Sequence, residues 1–234
     1  MKVLIPGFVD LMPRRQKIAG FVYLPLHVFV LPLLLAMLAY YIPGGMGELP
    51  INIIYYSMGL VFCLTVMWHY LRSSFDVLLD NLARSIISLF TAYFIYWLFS
   101  AVAGVGLLWL LGDELLNPNN NAVAELASKS PGPMIGLAVF IGPIVEEVLF
   151  RGVLFGSLRH RSRFLAYAIS MGVFALYHVW QFALTAIDWK MLLYAIQYLP
   201  VGYALGWLYE RTSSIWTCIA MHMLVNIISM LVLV

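Results

Sequence analysis

The stretch PMIGLAVFIGPIVEEVLFRGVLFGSL, residues 133–158, decides the solvent in which this chain folds. A helix needs roughly 20 apolar residues to cross about 30 Å of hydrocarbon, and this run exceeds that length with only Glu146, Glu147 and Arg151 charged. It reads as a membrane span carrying three charges. The whole chain agrees, because 63% hydrophobic residues, 10% charged residues and a mean hydropathy of +0.93 lie outside the range of soluble domains.

Six further runs, at 18–41, 51–71, 85–111, 164–187, 190–209 and 215–234, have comparable character. The expected fold is therefore all-α, a polytopic membrane bundle of about seven transmembrane helices forming one integral membrane domain. Residues 1–132 supply motif-free helices and an external loop, and 133–234 carry the polar motifs. Within the external loop, Ala122 to Ser128 has an amphipathic pattern suited to the bilayer surface. A net charge of +2 gives no basis for binding nucleic acid. Cys63 and Cys218 both fall in apolar runs and are expected as buried small hydrophobes. Gly202 and Gly206, four apart, would let the sixth span approach a neighbour closely.

Basic residues resist translocation and collect in cytoplasmic loops. Lys2, Arg14, Arg15, Lys17, Arg72, Arg84, Arg159, Arg161, Arg163 and Arg211 all fall on one side of a seven-span arrangement, with Lys129 and Lys190 opposite. This places the N-terminus, read as an uncleaved first span, in the cytoplasm and the C-terminus outside.

A charge at mid-bilayer costs at least ~2.5 kcal/mol on insertion scales, so such groups pair, line water or do chemistry. Glu147 and Arg151 are four apart, in the favourable order for an ion pair on one helical face. Glu146 is rotated about 100° from Glu147 and is free to face elsewhere. A purely structural salt-bridge cluster is the competing reading. His178 in the fifth run, and His222 with Asn226 in the seventh, would each be ordinary interhelical hydrogen-bonding groups if they stood alone. Counted at 1.5 Å per residue from the cytoplasmic end, Glu146, His178, Asn226 and His222 lie roughly 18, 21, 17 and 11 Å deep, so three helices can present them in one layer. His27 is expected to make an isolated hydrogen bond, and His69 to lie at the interface.

Burial makes a carboxylate a better proton acceptor. Glu146 is thus the candidate base for a water, His178 its partner, and His222 with Asn226 the donors for an oxyanion. These groups suffice for water attack on a peptide carbonyl. A zinc site is the competing use, with Glu146, His178 and His222 as ligands and an open position for water; the His-Glu-x-x-His helix is absent. No cofactor is required by the first reading.

Glu-Glu-x-x-x-Arg at 146–151, Phe-x-x-x-His at 174–178 and His-x-x-x-Asn at 222–226, in that order on successive helices, resemble the CPBP family of intramembrane proteases. That family comprises CAAX prenyl endopeptidases of the Rce type, bacterial Abi proteins and bacteriocin-processing or immunity relatives. The segment 206–216 resembles the family's lead into the last motif, with Ser214 at or near a position where glycine is expected. The resemblance implies a glutamic-type endopeptidase in the bacterial cytoplasmic membrane. Glu146, His178, His222 and Asn226 would be catalytic, and Glu147 with Arg151 supporting. Its partners would be the lipid bilayer and a peptide or protein substrate, prenylated or membrane-embedded, reached from the cytoplasm or the bilayer. The family has also been described as metalloproteases, which keeps zinc open. A proton- or ion-linked transporter and a non-proteolytic immunity or scaffold relative are the alternative functions.

Overall fold

In hydrocarbon a backbone polar group has no water to bond, and this chain satisfies its own with helices. The computed structural model describes residues 7–112 and 117–233, among which there is no strand. Six helices are long and apolar enough to cross a membrane: span 1 (Arg14–Tyr41), span 2 (Glu48–Thr65), span 3 (Leu82–Leu110), span 4 (Pro131–Arg159), span 6 (Lys190–Thr212) and span 7 (Ile215–Val232). Span 5 is a bent pair, Arg163–Tyr177 and Trp180–Ala186, with 45° between its halves. The protein is an integral membrane helix bundle.

Span 4 is the centre. From Val145 to Gly156 every residue is buried, whereas span 3 turns Phe90, Phe94, Trp97 and Val102 outward. In a membrane those exposed side chains face lipid tails, so they need no protein cover. Gly206 lets span 6 close on spans 4 and 5, since a Cβ there would lie 3.4 Å from Phe155 and 3.3 Å from Tyr167. Gly202 stands against Met171 in the same way, at 3.1 Å. The close approach expected from the spacing of these glycines is present. Cys63 and Cys218 are free and fully buried, as expected.

Polar clasps fix the two ends of the bundle. At one end Glu210 accepts hydrogen bonds from Arg159 Nε at 2.6 Å and Tyr167 Oη at 2.7 Å, with Arg163 3.0 Å away. At the other, Asn117 Nδ2 donates to Gln197 Oε1 at 2.6 Å and to Tyr198 Oη at 3.1 Å. Residues 159–163 and 210 thus share one end, and 117 and 197 the opposite one. Lys2 of the expected basic cluster lies outside the described residues.

Spans 1, 2 and 3 begin four, three and three residues before the expected 18, 51 and 85, and spans 2, 5 and 6 differ in ways that shape the bundle. Span 2 ends at Thr65 rather than residue 71, because the chain breaks at Met67 (φ −95°, ψ 7°) and starts a separate helix, Trp68–Asp80. That helix buries Tyr70, Leu71 and Ser74 on one face and leaves Trp68, His69, Phe75 and Leu79 exposed. Its Ser74 Oγ accepts from the Ile215 amide at 2.7 Å and so caps the start of span 7. Span 5 is broken rather than continuous over 164–187. Span 6 runs three residues beyond 209, and its first turns, Trp189–Tyr198, form a 3-10 helix, which rises more steeply per residue than an α-helix. The connection between spans 3 and 4 contains a helix, Pro118–Lys129, started by the Asn117 side chain, which accepts from the amides of Asn119 and Asn120.

Candidate active site

Span 4 is not a regular α-helix where it carries its charges. Its turns widen to π geometry over Gly136–Ile141 and again over Val148–Phe155, with α-helical Gly142–Glu147 between them. Pro143 has no N–H for the carbonyl of Val139, which loosens the ladder just before the glutamates. Such bulges concentrate at functional sites. Counting at α-helical rise sets Glu146 and His222 about 7 Å apart in depth, whereas their side chains meet, with Oε2 and Nε2 at 3.8 Å.

Glu146, His178 and His222 meet. Glu146 Oε2 is 3.7 Å from His178 Nε2 and 3.8 Å from His222 Nε2, too far for direct hydrogen bonds and suited to a bridging water. It has no hydrogen-bond partner among the described residues. Each imidazole is oriented from behind. His178 follows the last residue of the first half of span 5, and its Nδ1 lies 2.9 Å from the carbonyl oxygen of Phe174. A carbonyl only accepts, so Nδ1 carries the proton and Nε2 turns a lone pair towards Glu146. His222 Nδ1 lies 2.8 Å from Glu147 Oε1, and the same logic directs its Nε2 lone pair at Glu146 when Glu147 is ionised.

Behind this layer, Arg151 NH1 donates to Glu147 Oε1 at 2.9 Å, both side chains being fully buried. Arg151 NH2 approaches the Gly202 carbonyl at 3.4 Å, and the guanidinium lies 4.1 Å over the Phe174 ring. Glu147 therefore holds an arginine of its own helix and a histidine of span 7 at once. Asn226 lines the same cavity as Glu146, with one amide N–H donated to the Ala138 carbonyl at 2.8 Å. Its other N–H and its carbonyl are not committed by that bond. The cavity holds about 700 Å³.

Tyr198, which no sequence motif singles out, stacks its ring on His178 at 4.2 Å, and its hydroxyl bonds Asn117 and Asn119. Phe174 has a second task that the spacing does not reveal: it meets the His222 ring edge-on at 5.9 Å. His27 departs from its expected hydrogen bond. Both ring nitrogens are buried without a partner among the described residues, and the ring stacks on Tyr55 at 4.3 Å.

A carboxylate and two imidazoles with inward lone pairs have the chemistry of a zinc site. Among the described residues, however, no three His, Cys, Asp or Glu side chains are arranged to hold a metal ion.

Residues 128–228 match the family model described as type II CAAX prenyl endopeptidase Rce1-like. This segment is similar to that family, and it contains every residue of the Glu146, His178 and His222 cluster, with Glu147, Arg151 and Asn226. Over 148 residues the chain is 30% identical to YdiL of Bacillus subtilis strain 168, whose name describes a membrane peptidase; the match covers 63% of this chain and 56% of YdiL. It is 29% identical over 137 residues to the membrane-embedded CAAX protease MroQ of Staphylococcus aureus strain USA300, covering 55% and 50% of the two chains. It is 31% identical over 87 residues to the UPF0177 protein YxdF of Lactococcus lactis strain IL1403, covering 37% and 42%. The chain thus spans about half the length of the curated relatives it matches. No solved structure matches it significantly.

Proposed function

We propose that this protein is an intramembrane endopeptidase that hydrolyses a peptide bond with water activated by Glu146. The convergence of Glu146, His178 and His222 from three separate spans, lining one cavity, is the observation that carries the reading. Water between Glu146 Oε2 and His178 Nε2 gives its proton to the carboxylate while its oxygen attacks the carbonyl carbon. His178 Nε2 accepts a hydrogen bond from the second O–H, which stays on the attacking oxygen, and fixes the direction of attack. The tetrahedral intermediate collapses as the carbon–nitrogen bond breaks, and Glu146 passes its proton to the departing amine.

The free amide N–H of Asn226 is the neutral donor for the oxyanion. His222 donates there only when both its ring nitrogens are protonated, because its Nδ1–H is directed at Glu147. Glu147 and Arg151 position His222 and compensate each other's charge. The substrate is a peptide or protein held in or against the bilayer. The bacterial relatives and the one-sided arginines support a place in the bacterial cytoplasmic membrane, with the N-terminus in the cytoplasm and the C-terminus outside.

Substrate trapping with Glu146→Gln tests this. The variant should fold and retain peptides that mass spectrometry identifies, and the wild-type protein should cut those peptides at one position. If the retained peptides stay intact with the wild-type protein, the proteolytic reading fails. Solute flux through sealed vesicles without hydrolysis would favour transport instead.

A further inference from the structure

The cavity over Glu146 has a direction. Its lining runs from the catalytic cluster past Tyr56 and Gln181 to Asn119 and Asn120 of the helix Pro118–Lys129, and to the exposed Glu48 at the start of span 2. All of these rim residues lie at the end clasped by Asn117 and Gln197. Towards the opposite end, below Glu146, span 4 is sealed: Val148, Leu149, Phe150, Arg151, Val153 and Phe155 are fully buried. Tyr70 and Tyr209 close over this seal through a 2.9 Å hydroxyl contact, so tight against span 4 that a Cβ on Gly152 would lie 2.9 Å from Tyr70. The sealed end carries Arg72, Arg84, Arg159, Arg161, Arg163 and Arg211, the open end Lys129 and Lys190. By the retention of basic loops in the cytoplasm, the sealed end is cytoplasmic.

The lining chemistry narrows the occupant. No lysine or arginine is among the described residues that line the cavity, so nothing there would pair a terminal carboxylate or an acidic side chain. Asn52, Asn120, Gln181 and Gln197 offer amide donors and acceptors matched to an extended backbone, between apolar walls from spans 1, 3 and 7.

Building on the proteolytic reading above, we propose that the site is reached from the extracytoplasmic face, beneath the helix Pro118–Lys129, and receives an extended segment, free of acidic side chains, of a translocated or outer-leaflet peptide. The substrate is cut at an internal bond, with no grip on its free C-terminus.

Thiol labelling with a membrane-impermeant maleimide tests this without requiring activity. The full chain is expressed in a bacterial host as Asn120→Cys or Arg161→Cys, with the unsubstituted protein as the blank because its own thiols are buried. Asn120→Cys should label in spheroplasts and not in sealed inverted vesicles, and Arg161→Cys the reverse. An amidated, uncharged decapeptide should slow labelling of Asn120→Cys several-fold in spheroplasts, whereas a tetra-acidic decapeptide of equal length should not. Labelling of Asn120→Cys only in inverted vesicles overturns the extracytoplasmic assignment. Equal protection by both peptides, or by neither, overturns the substrate class. Peptide hydrolysis on neither side counts against the proteolytic reading alone, because labelling and protection are read without turnover.

Discussion

Arg151→Met is the sharpest probe of how the site is supported. The guanidinium is fully buried, bonded to Glu147 at 2.9 Å and seated on Phe174 at 4.1 Å. Removing it leaves the Glu147 carboxylate buried with His222 as its remaining partner, and breaking a buried pair in this way costs about 3–5 kcal/mol. The intact pair is itself incompletely satisfied, since Glu147 Oε2 and Arg151 Nε have no hydrogen-bond partner among the described residues. The double variant Arg151→Met with Glu147→Gln should therefore recover most of the loss, to within about 2 kcal/mol of wild type. Equilibrium unfolding in mixed micelles, followed through the seven tryptophans, gives both numbers and their coupling. A cost of about 3 kcal/mol lowers the folding constant more than 100-fold. If the single variant lies within about 1 kcal/mol of wild type, or if the two substitutions add, the pair is not the buried support described here.

Two further outcomes follow from the same geometry. Tyr198→Ala removes the ring stacked on His178 and should lower kcat on the order of 10–100-fold, as expected of a misplaced catalytic group. Tyr198→Phe keeps the stack and should lose much less, which steady-state rates on a trapped peptide would reveal. Prolonged dialysis against a strong chelator should leave cleavage unchanged; loss of activity that zinc restores would turn Glu146, His178 and His222 from proton-handling groups into ligands.

Much of the bundle was legible because the bilayer imposes a length on each apolar run, and the arginines alternate with those runs in register. The break at Met67 was not legible. Val66, Met67 and Trp68 continue the apolar run of span 2, and only the facing of Tyr70, Leu71 and Ser74 betrays a new helix. The bend after Tyr177 left no glycine or proline to announce it. For the site, counting at α-helical rise put Glu146, His178 and Asn226 in one layer with His222 nearer the cytoplasmic side, whereas the His222 side chain reaches Glu146 at 3.8 Å. The π turns of span 4 left no signal in the spacing. Glycine is expected at or near Ser214, and the left-handed residue is its neighbour Ser213, at φ 55°, whose hydroxyl accepts from the Val9 amide at 2.9 Å. Tyr198 escaped notice because its contact with His178 joins elements that sequence periodicity cannot pair.

The central claim is that Glu146 moves the proton of the attacking water. The most direct measurement is the single-turnover cleavage rate of purified Glu146→Gln on a peptide that the wild-type protein cuts, with binding of that peptide measured alongside. Loss of a positioned general base predicts a fall of at least ~10²-fold with the peptide still bound. Cleavage at a wild-type rate by the folded variant would contradict the account.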